Sequence, residues 1–202
     1  MTGFDAVRWW IGWRPKATIV TCVCLGAVMS AANSSAVPLM VLLVLGVCIW
    51  VKGTQTVKTH APRLLAEVEA QCVAAGARKL GMDVAPEQTF LMRGEMRGEN
   101  DERYTLIPFS TKHKLTVIYV TDAFIGVYAG SSYDLKELQT RLGSTTKEVY
   151  YPHVSGVEFC PPIFKLATSS EQMIYPISDN PEVGEAALNA IRAKLRRVHA
   201  VA

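Results

Sequence analysis

The sequence predicts an α+β chain: a two-helix transmembrane hairpin, then a small antiparallel sheet or barrel closed by a C-terminal helix. Three observations predict it. Residues 17–51 hold no charged side chain. Residues 88–177 are short runs of β-branched and aromatic residues broken by Gly, Pro, Ser and Asp, the composition of strands and turns. Residues 180–200 carry one apolar stripe, with acids at the start and bases at the end.

The average composition hides this division. The 202 residues are 50% hydrophobic, with a net charge of +3, and the apolar residues are concentrated near the start. So small a net charge, with no run of Lys and Arg broken by aromatics, gives no groove for nucleic acid. Cys22, Cys24 and Cys48 lie in the apolar stretch, and Cys72 and Cys160 beyond it. An odd, scattered set without a CxxC pair is no disulfide framework and fits a reducing compartment.

A straight helix from Ala17 to Val51 would run about 50 Å at 1.5 Å per residue, against a hydrocarbon core about 30 Å thick. Two spans fit better, at about 17–32 and 36–51, joined by Ala32-Asn33-Ser34-Ser35, with Pro38 just inside the second. Both are short, so bilayer thinning or anchoring by the flanks is expected. Trp9, Trp10, Trp13, Arg14 and Lys16 precede the first span, as does Arg8; Trp50 and Lys52 close the second, followed by Lys58 and Arg63. Aromatic residues favour the interface and basic ones the cytoplasmic side, so these flanks are the predicted membrane-interface anchors. With both outer flanks basic and the connection uncharged, both termini are expected in the cytoplasm. Ser30-Ala31-Ala32 resembles a signal-peptide cleavage site, but the preceding segment is long and rich in tryptophan. A buried helix pair in a soluble protein would carry a polar face, which this stretch lacks. Gly26, Ala27, Ser30 and Ala31 permit close helix contact in lipid, within the hairpin or with another subunit.

The domain plan is a cytoplasmic interfacial N-terminus over 1–16, the hairpin over 17–52, a connector helix within 53–87 and a cytosolic domain over 88–202. In the connector, Pro62 is the expected start of a helix running to about Lys79, with Leu64, Leu65, Val68, Cys72 and Val73 at helical spacing. Thr89–Met92 is the first predicted strand, and 94–103 a charged loop. Lys114–Thr121 and Phe124–Tyr128 predict a hairpin turned at Asp122. Residues 134–142 are ambiguous, because Leu135, Leu138 and Leu142 have helical spacing. Glu148–Tyr151 and Val154–Phe159, the latter interrupted at Gly156, read as strands, ended by Cys160-Pro161-Pro162. Phe164–Ala167 and Met173–Ile177 predict a second hairpin around Thr168-Ser169-Ser170. Asn180 is a good N-cap and Pro181 suits the first helical position. Glu182 and Glu185 then lie near the positive end of the helix dipole, and Arg192, Lys194, Arg196 and Arg197 near the negative end. Leu188, Ile191, Leu195 and Val198 form the stripe that packs on the sheet.

The words Tyr119-Val120-Thr121-Asp122, Phe124-Ile125-Gly126-Val127-Tyr128 and Tyr150-Tyr151-Pro152-His153-Val154-Ser155-Gly156-Val157, with a strand meander closed by one helix, resemble bacterial membrane-anchored pleckstrin-homology-like (PH-like) domain proteins. The resemblance covers about residues 88–200. The long loop at 94–113 and the ambiguous 134–142 depart from the family's pattern. The resemblance implies binding or scaffolding rather than catalysis, with headgroups or peptides taken at the barrel mouth or beside the closing helix. The basic edge Lys112-His113-Lys114, with Arg196 and Arg197 at the end of the final helix, is the candidate contact for a headgroup or partner; an ordinary solvated strand start explains the same residues.

Sequence chemistry points away from an enzyme. His60, His113, His153 and His199 form no metal-ligand spacing, and no nucleophile-elbow, zincin or phosphate-loop motif occurs. No cofactor or metal is expected. His153 and Cys160, with Asp122 brought near by folding, would make a nucleophilic pair only in a geometry that spacing does not supply, and Cys160 reads more simply as a small buried hydrophobe. Glu95, Glu99, Asp101 and Glu102, interrupted by Arg93, Arg97 and Arg103, read as a mixed-charge loop rather than a calcium site. The expectation is a non-enzymatic, multi-pass inner-membrane subunit. Its cytosolic domain binds a partner protein or scaffolds a complex, a secretion or conjugation assembly being one such machine, and homo-oligomerisation is open. An anionic-lipid sensor and an enzyme with an unrecognised site are the alternatives.

Overall fold

A computed structural model describes residues 14–83, 85–95, 112–134, 139–178 and 180–201. These residues divide into two compact units, one dominated by the N-terminal helices through Ala66 and the other running from Glu67 onward. Trp9, Trp10 and Trp13 lie outside the described residues, as does most of the charged stretch at 94–103.

In the first unit, α1 (Arg14–Asn33) turns back on the start of α2 (Val37–Lys79). Glycine lets the two approach: a Cβ on Gly26 would lie 3.1 Å from Leu42 Cδ1 and 3.3 Å from Leu39 Cα. Nearer the open end, a Cβ on Gly46 would lie 3.8 Å from Ile19 Cγ2. Gly26 facing Leu39 and Leu42 while Ile19 faces Gly46 is an antiparallel register. The chain reverses at Ser34, whose φ is 47°. By length and composition α2 can cross a membrane; the apolar part of α1, Ala17–Asn33, is shorter than that standard. Val20, Leu25, Val28 and Met29 on α1 and Met40, Val41, Val44, Val47 and Trp50 on α2 expose their apolar side chains.

The helix expected to begin at Pro62 does not begin there. Pro62 lies inside α2, which is continuous for 43 residues. Proline removes the bond to the carbonyl four residues back, but Pro62 is exposed, so water can take up that carbonyl.

The second unit is built on two antiparallel sheets. The first has order β1 (Thr89–Glu95), β2 (Lys112–Val120), β3 (Phe124–Asp134), β4 (Gln139–Arg141), with β5 (Thr145–Tyr150) also paired to β3. A 3-10 turn, Tyr151–His153, leads to the second sheet: β6 (Val154–Cys160), β7 (Ile163–Thr168), β8 (Gln172–Pro176). The expected hairpins at 114–128 and 164–177 are present, and the interruption at Gly156 is a register shift between Val154 and Gly156. The ambiguity at 134–142 resolves, among the described residues, towards strand: Gln139–Arg141 is β4, with exposed side chains and Leu142 exposed beside it. Leu135 and Leu138 lie outside the described residues.

The core between the sheets contains Met92, Ile118, Val120, Ile125, Val127, Phe164, Leu166 and Ile177, closed by Ala187 and Ile191 of α3 (Pro181–Val201). Leu188, Leu195 and Val198 pack against it half-buried, as the stripe predicts. A Cβ on Gly184 of α3 would meet the Phe159 ring at 2.6 Å, so α3 lies directly on that ring.

The sheets are joined at the β1–β8 corner. Ser178 N–H donates to the Arg93 carbonyl at 3.0 Å, while Ile177 N–H extends the second sheet itself by donating to the Pro162 carbonyl at 2.7 Å. Asn180, 5% exposed, completes the seam. Its Oδ1 accepts from Arg93 N–H at 3.0 Å and its Nδ2 donates to the Leu91 carbonyl at 2.9 Å. The side-chain amide thus takes both places of a strand's peptide group. Asn180 stands just before the helix as expected, but this side chain is spent on β1, while its backbone carbonyl accepts from Val183 N–H at 3.1 Å.

Candidate functional site

Strand β2 organises the candidate contacts. Its side chains alternate, and both rows are largely buried. Thr116, Ile118 and Val120 face the core row. His113, Leu115, Val117 and Tyr119 face the opposite side, which the end of α2 covers.

Glu69, Cys72, Val73, Gly76 and Leu80 form that covering stripe, within the same unit. Tyr119 Oη donates to the Val73 carbonyl at 2.6 Å. A Cβ on Gly76 would lie 2.4 Å from Tyr119 Oη and 2.7 Å from the Tyr128 ring. One on Gly126 would lie 2.8 Å from Leu80 Cδ1. Glycines on both surfaces therefore set the approach of helix to sheet. Lys79 Nζ donates to the Gly143 carbonyl at 2.8 Å and lies 5.6 Å from the Tyr128 ring centroid. Tyr128 Oη donates to the same carbonyl at 2.9 Å, and Gly143 N–H donates to Ser131 Oγ at 2.9 Å. The stretch Glu67–Leu80, which composition assigns to a connector, is thus a packed layer of the domain.

Polar groups sit in this layer. Arg93 Nη1 is 3.3 Å from Glu69 Oε1, and Arg93 Nε is buried without a hydrogen-bond partner among the described residues. Burial pushes the Glu69 carboxyl up, and charge interactions with Arg93 and His113 partly offset this. Burial also raises the Cys72 thiol, against a hydrogen bond with Ser131. A buried thiol held in its neutral form is a poor nucleophile, so this cluster ties helix to sheet rather than presenting a reactive group. Among the described residues no three His, Cys, Asp or Glu side chains gather where they could hold a metal ion.

The residues singled out by sequence are not brought together. Lys112 is half-buried, Lys114 is exposed opposite Gly94, and His113 is only 5% exposed on the α2 side, which removes it from any exposed basic edge. Arg196 and Arg197 are exposed on α3 near Lys194, whose Nζ pairs with Asp122 in the β2–β3 turn. Lys194 and, through space, Arg197 hold the Asp122 carboxyl below its usual range. Lys112 opens β2 and Asp122 lies two residues past its other end, so the strand between them, eight steps at 3.3 Å, spans about 26 Å. The two basic groups are separate surfaces.

His153 and Cys160 likewise flank opposite ends of β6, about 23 Å apart at 3.3 Å per residue, so they make no nucleophilic pair. Cys160 is exposed, not buried, because β6 turns its alternate side chains outward at that edge. Among the interface anchors, Arg14 and Lys16 fall at the start of α1, and Trp50 and Lys52 are exposed on α2. The hairpin register sets Arg14 and Lys16 level with Trp50 and Lys52. The α2 layer over Tyr119 and Tyr128 is the packed-helix alternative to a connector that the apolar spacing at 64–73 leaves open; Gly76, amid larger apolar residues at helical spacing, is the signal that marks it.

No family model matches the sequence, and no curated protein does. Among solved structures, the chain is similar to the solution structure of the N-terminal PH domain of human ARAP2. The TM-score is 0.30 and the identity 11%, over 57% of this chain and 86% of that one. A likeness that low carries no argument about function.

Proposed function

We propose that the chain is a membrane-anchored, non-enzymatic binding subunit. In this reading α1 and the first part of α2 enter the bilayer as a hairpin with both ends on the cytoplasmic side of a bacterial inner membrane. The domain from Glu67 is a PH-like module that binds a partner protein. The observation that supports it is the outward apolar surface of the hairpin, from Val20 to Trp50, in a stretch with no charge between Lys16 and Lys52. Exposed apolar side chains on both helices fit hydrocarbon as solvent. The basic residues level with one another at the open end, and none at the turn, favour that end facing the cytoplasm.

A strand meander in two sheets, closed by a C-terminal helix, is the element order of PH-like modules and favours binding over catalysis. A protein partner is favoured over headgroups because the two basic surfaces lie apart and His113 is buried. The test is alkaline carbonate extraction of membranes, followed by detergent purification of the full chain. Retention in the pellet, and a defined complex that survives when Lys112, Lys114, Arg196 and Arg197 are all changed to Gln, are expected. Release by carbonate overturns the anchor; loss of association only in that quadruple variant, with matching binding to anionic vesicles, makes the domain a lipid sensor.

A further inference from the structure

Two features of the hairpin bear on how deep it reaches. The first is length. Ala17 to Asn33 spans about 24 Å at 1.5 Å per residue, and Val37 to Val51 about 21 Å by the same rise. The cations level at the open end are thus some 24 Å from the turn, about 6 Å less than an ordinary hydrocarbon core, and any tilt shortens the reach.

The second is how the turn handles its backbone. A helix start leaves four N–H groups without intrahelical acceptors, and in hydrocarbon each must be satisfied within the protein. At the start of α2 the first three helical positions are provided for. Val37 N–H donates to Ser35 Oγ at 3.3 Å, and Pro38 has no N–H. Leu39 N–H reaches across to Ser30 Oγ of α1 at 3.1 Å. Met40 N–H makes the first ordinary bond of the helix, to the Ala36 carbonyl at 3.1 Å, and Ser35 N–H donates to the Ser30 carbonyl at 3.2 Å.

We propose that the turn at Asn33–Ala36 does not emerge as an aqueous loop in a bilayer of ordinary thickness but lies at its far hydrocarbon boundary, so that the hairpin is a shallow insert whose matching partner is a thin bilayer. This rests on the reading of residues 17–51 as a membrane hairpin. The occupant of the exposed apolar surface is then lipid whose hydrocarbon matches the hairpin, and thicker bilayers must thin around it.

The test uses the full chain with Ser34→Cys in vesicles of phosphatidylcholine and phosphatidylglycerol, with fourteen-, eighteen- or twenty-two-carbon monounsaturated acyl chains. A membrane-impermeant maleimide is supplied on both faces and labelling is read at residue 34 by peptide mass spectrometry, which sets aside the native thiols. Labelling is expected to fall about tenfold from the shortest to the longest chains as the turn sinks below the surface. Adding Ser30→Ala and Ser35→Ala, which strips the acceptors from Leu39 and Val37, should raise labelling in the longest-chain vesicles. Equal labelling at every thickness, with the chain retained after carbonate, overturns this inference alone. No rise in the triple variant refutes the part assigned to the hydroxyls. Release by carbonate from every vesicle overturns the membrane reading itself.

Discussion

Changing Asn180 to Ala removes one side chain that stands in for a stretch of sheet. Two bonds vanish together: Arg93 N–H to Oδ1 at 3.0 Å and Nδ2 to the Leu91 carbonyl at 2.9 Å. The position is 5% exposed, so the stranded groups gain little water in return. An unsatisfied buried polar group costs about 1–3 kcal/mol, and with two partly buried groups the expected loss is about 2–4 kcal/mol. The assay is thermal or urea unfolding of the full chain in detergent followed by circular dichroism, because all four tryptophans, Trp9, Trp10, Trp13 and Trp50, precede the domain. Asn180→Asp separates the two bonds. It keeps the acceptor for Arg93 N–H but sets a carboxylate against the Leu91 carbonyl, which raises that carboxyl's pKa on folding. Its deficit should therefore shrink as pH falls through the carboxylate range, while that of Asn180→Ala stays constant. A loss below about 0.5 kcal/mol for Asn180→Ala, the scale of an ordinary surface change, would refute the view that this amide holds the two sheets together.

Other positions report on the same framework. Gly143→Ala would place a Cβ 2.2 Å from the Ala129 carbonyl oxygen and 2.9 Å from Ser131 N; both are backbone, so a loss of about 3 kcal/mol in unfolding experiments is expected. Glu69→Gln should stabilise the domain at neutral pH and flatten its pH dependence. The folded carboxyl titrates above its ordinary 4.5, so the native Glu69 contributes fully below that value and loses its contribution as pH rises; unfolding midpoints of the two chains across acid to neutral pH check this. Tyr151→Phe removes a hydrogen bond of 2.5 Å from its hydroxyl to the Thr121 carbonyl, and should lower stability by about 1 kcal/mol. Burial lifts that phenol from 10.0 to about 12, so its contribution is complete below pH 10.0 and fades as pH climbs towards 12.

Local chemistry was legible where neighbours in sequence are neighbours in space. The 114–128 hairpin announces itself through β-branched and aromatic residues on both sides of Asp122, and α3 through Asn180-Pro181 and its apolar stripe. The pattern of that stripe tells what α3 packs against. It does not tell what the Asn180 side chain touches, because its partners Leu91 and Arg93 lie nearly ninety residues earlier. The covering layer of α2 was half-visible. Its apolar spacing showed a helix, but only the face of β2 carrying Leu115, Val117 and Tyr119 explains why that helix belongs to the domain and why Gly76 must be small. Helical spacing at 134–142 leaves the segment ambiguous, and the described part, Gln139–Arg141, is a strand with Leu142 exposed beside it. The basic edge was legible only in part: Lys112, His113 and Lys114 are adjacent in sequence, yet strand alternation sends His113 to the buried side.

Whether the hairpin returns the chain to its starting side is read most directly by protease access to both ends in intact spheroplasts, with epitope tags placed before Met1 and after Ala202. Both tags and the domain from Glu67 should survive external protease and be lost only when the membrane is permeabilised. Digestion of either tag in intact spheroplasts would contradict a hairpin that brings the chain back across the membrane.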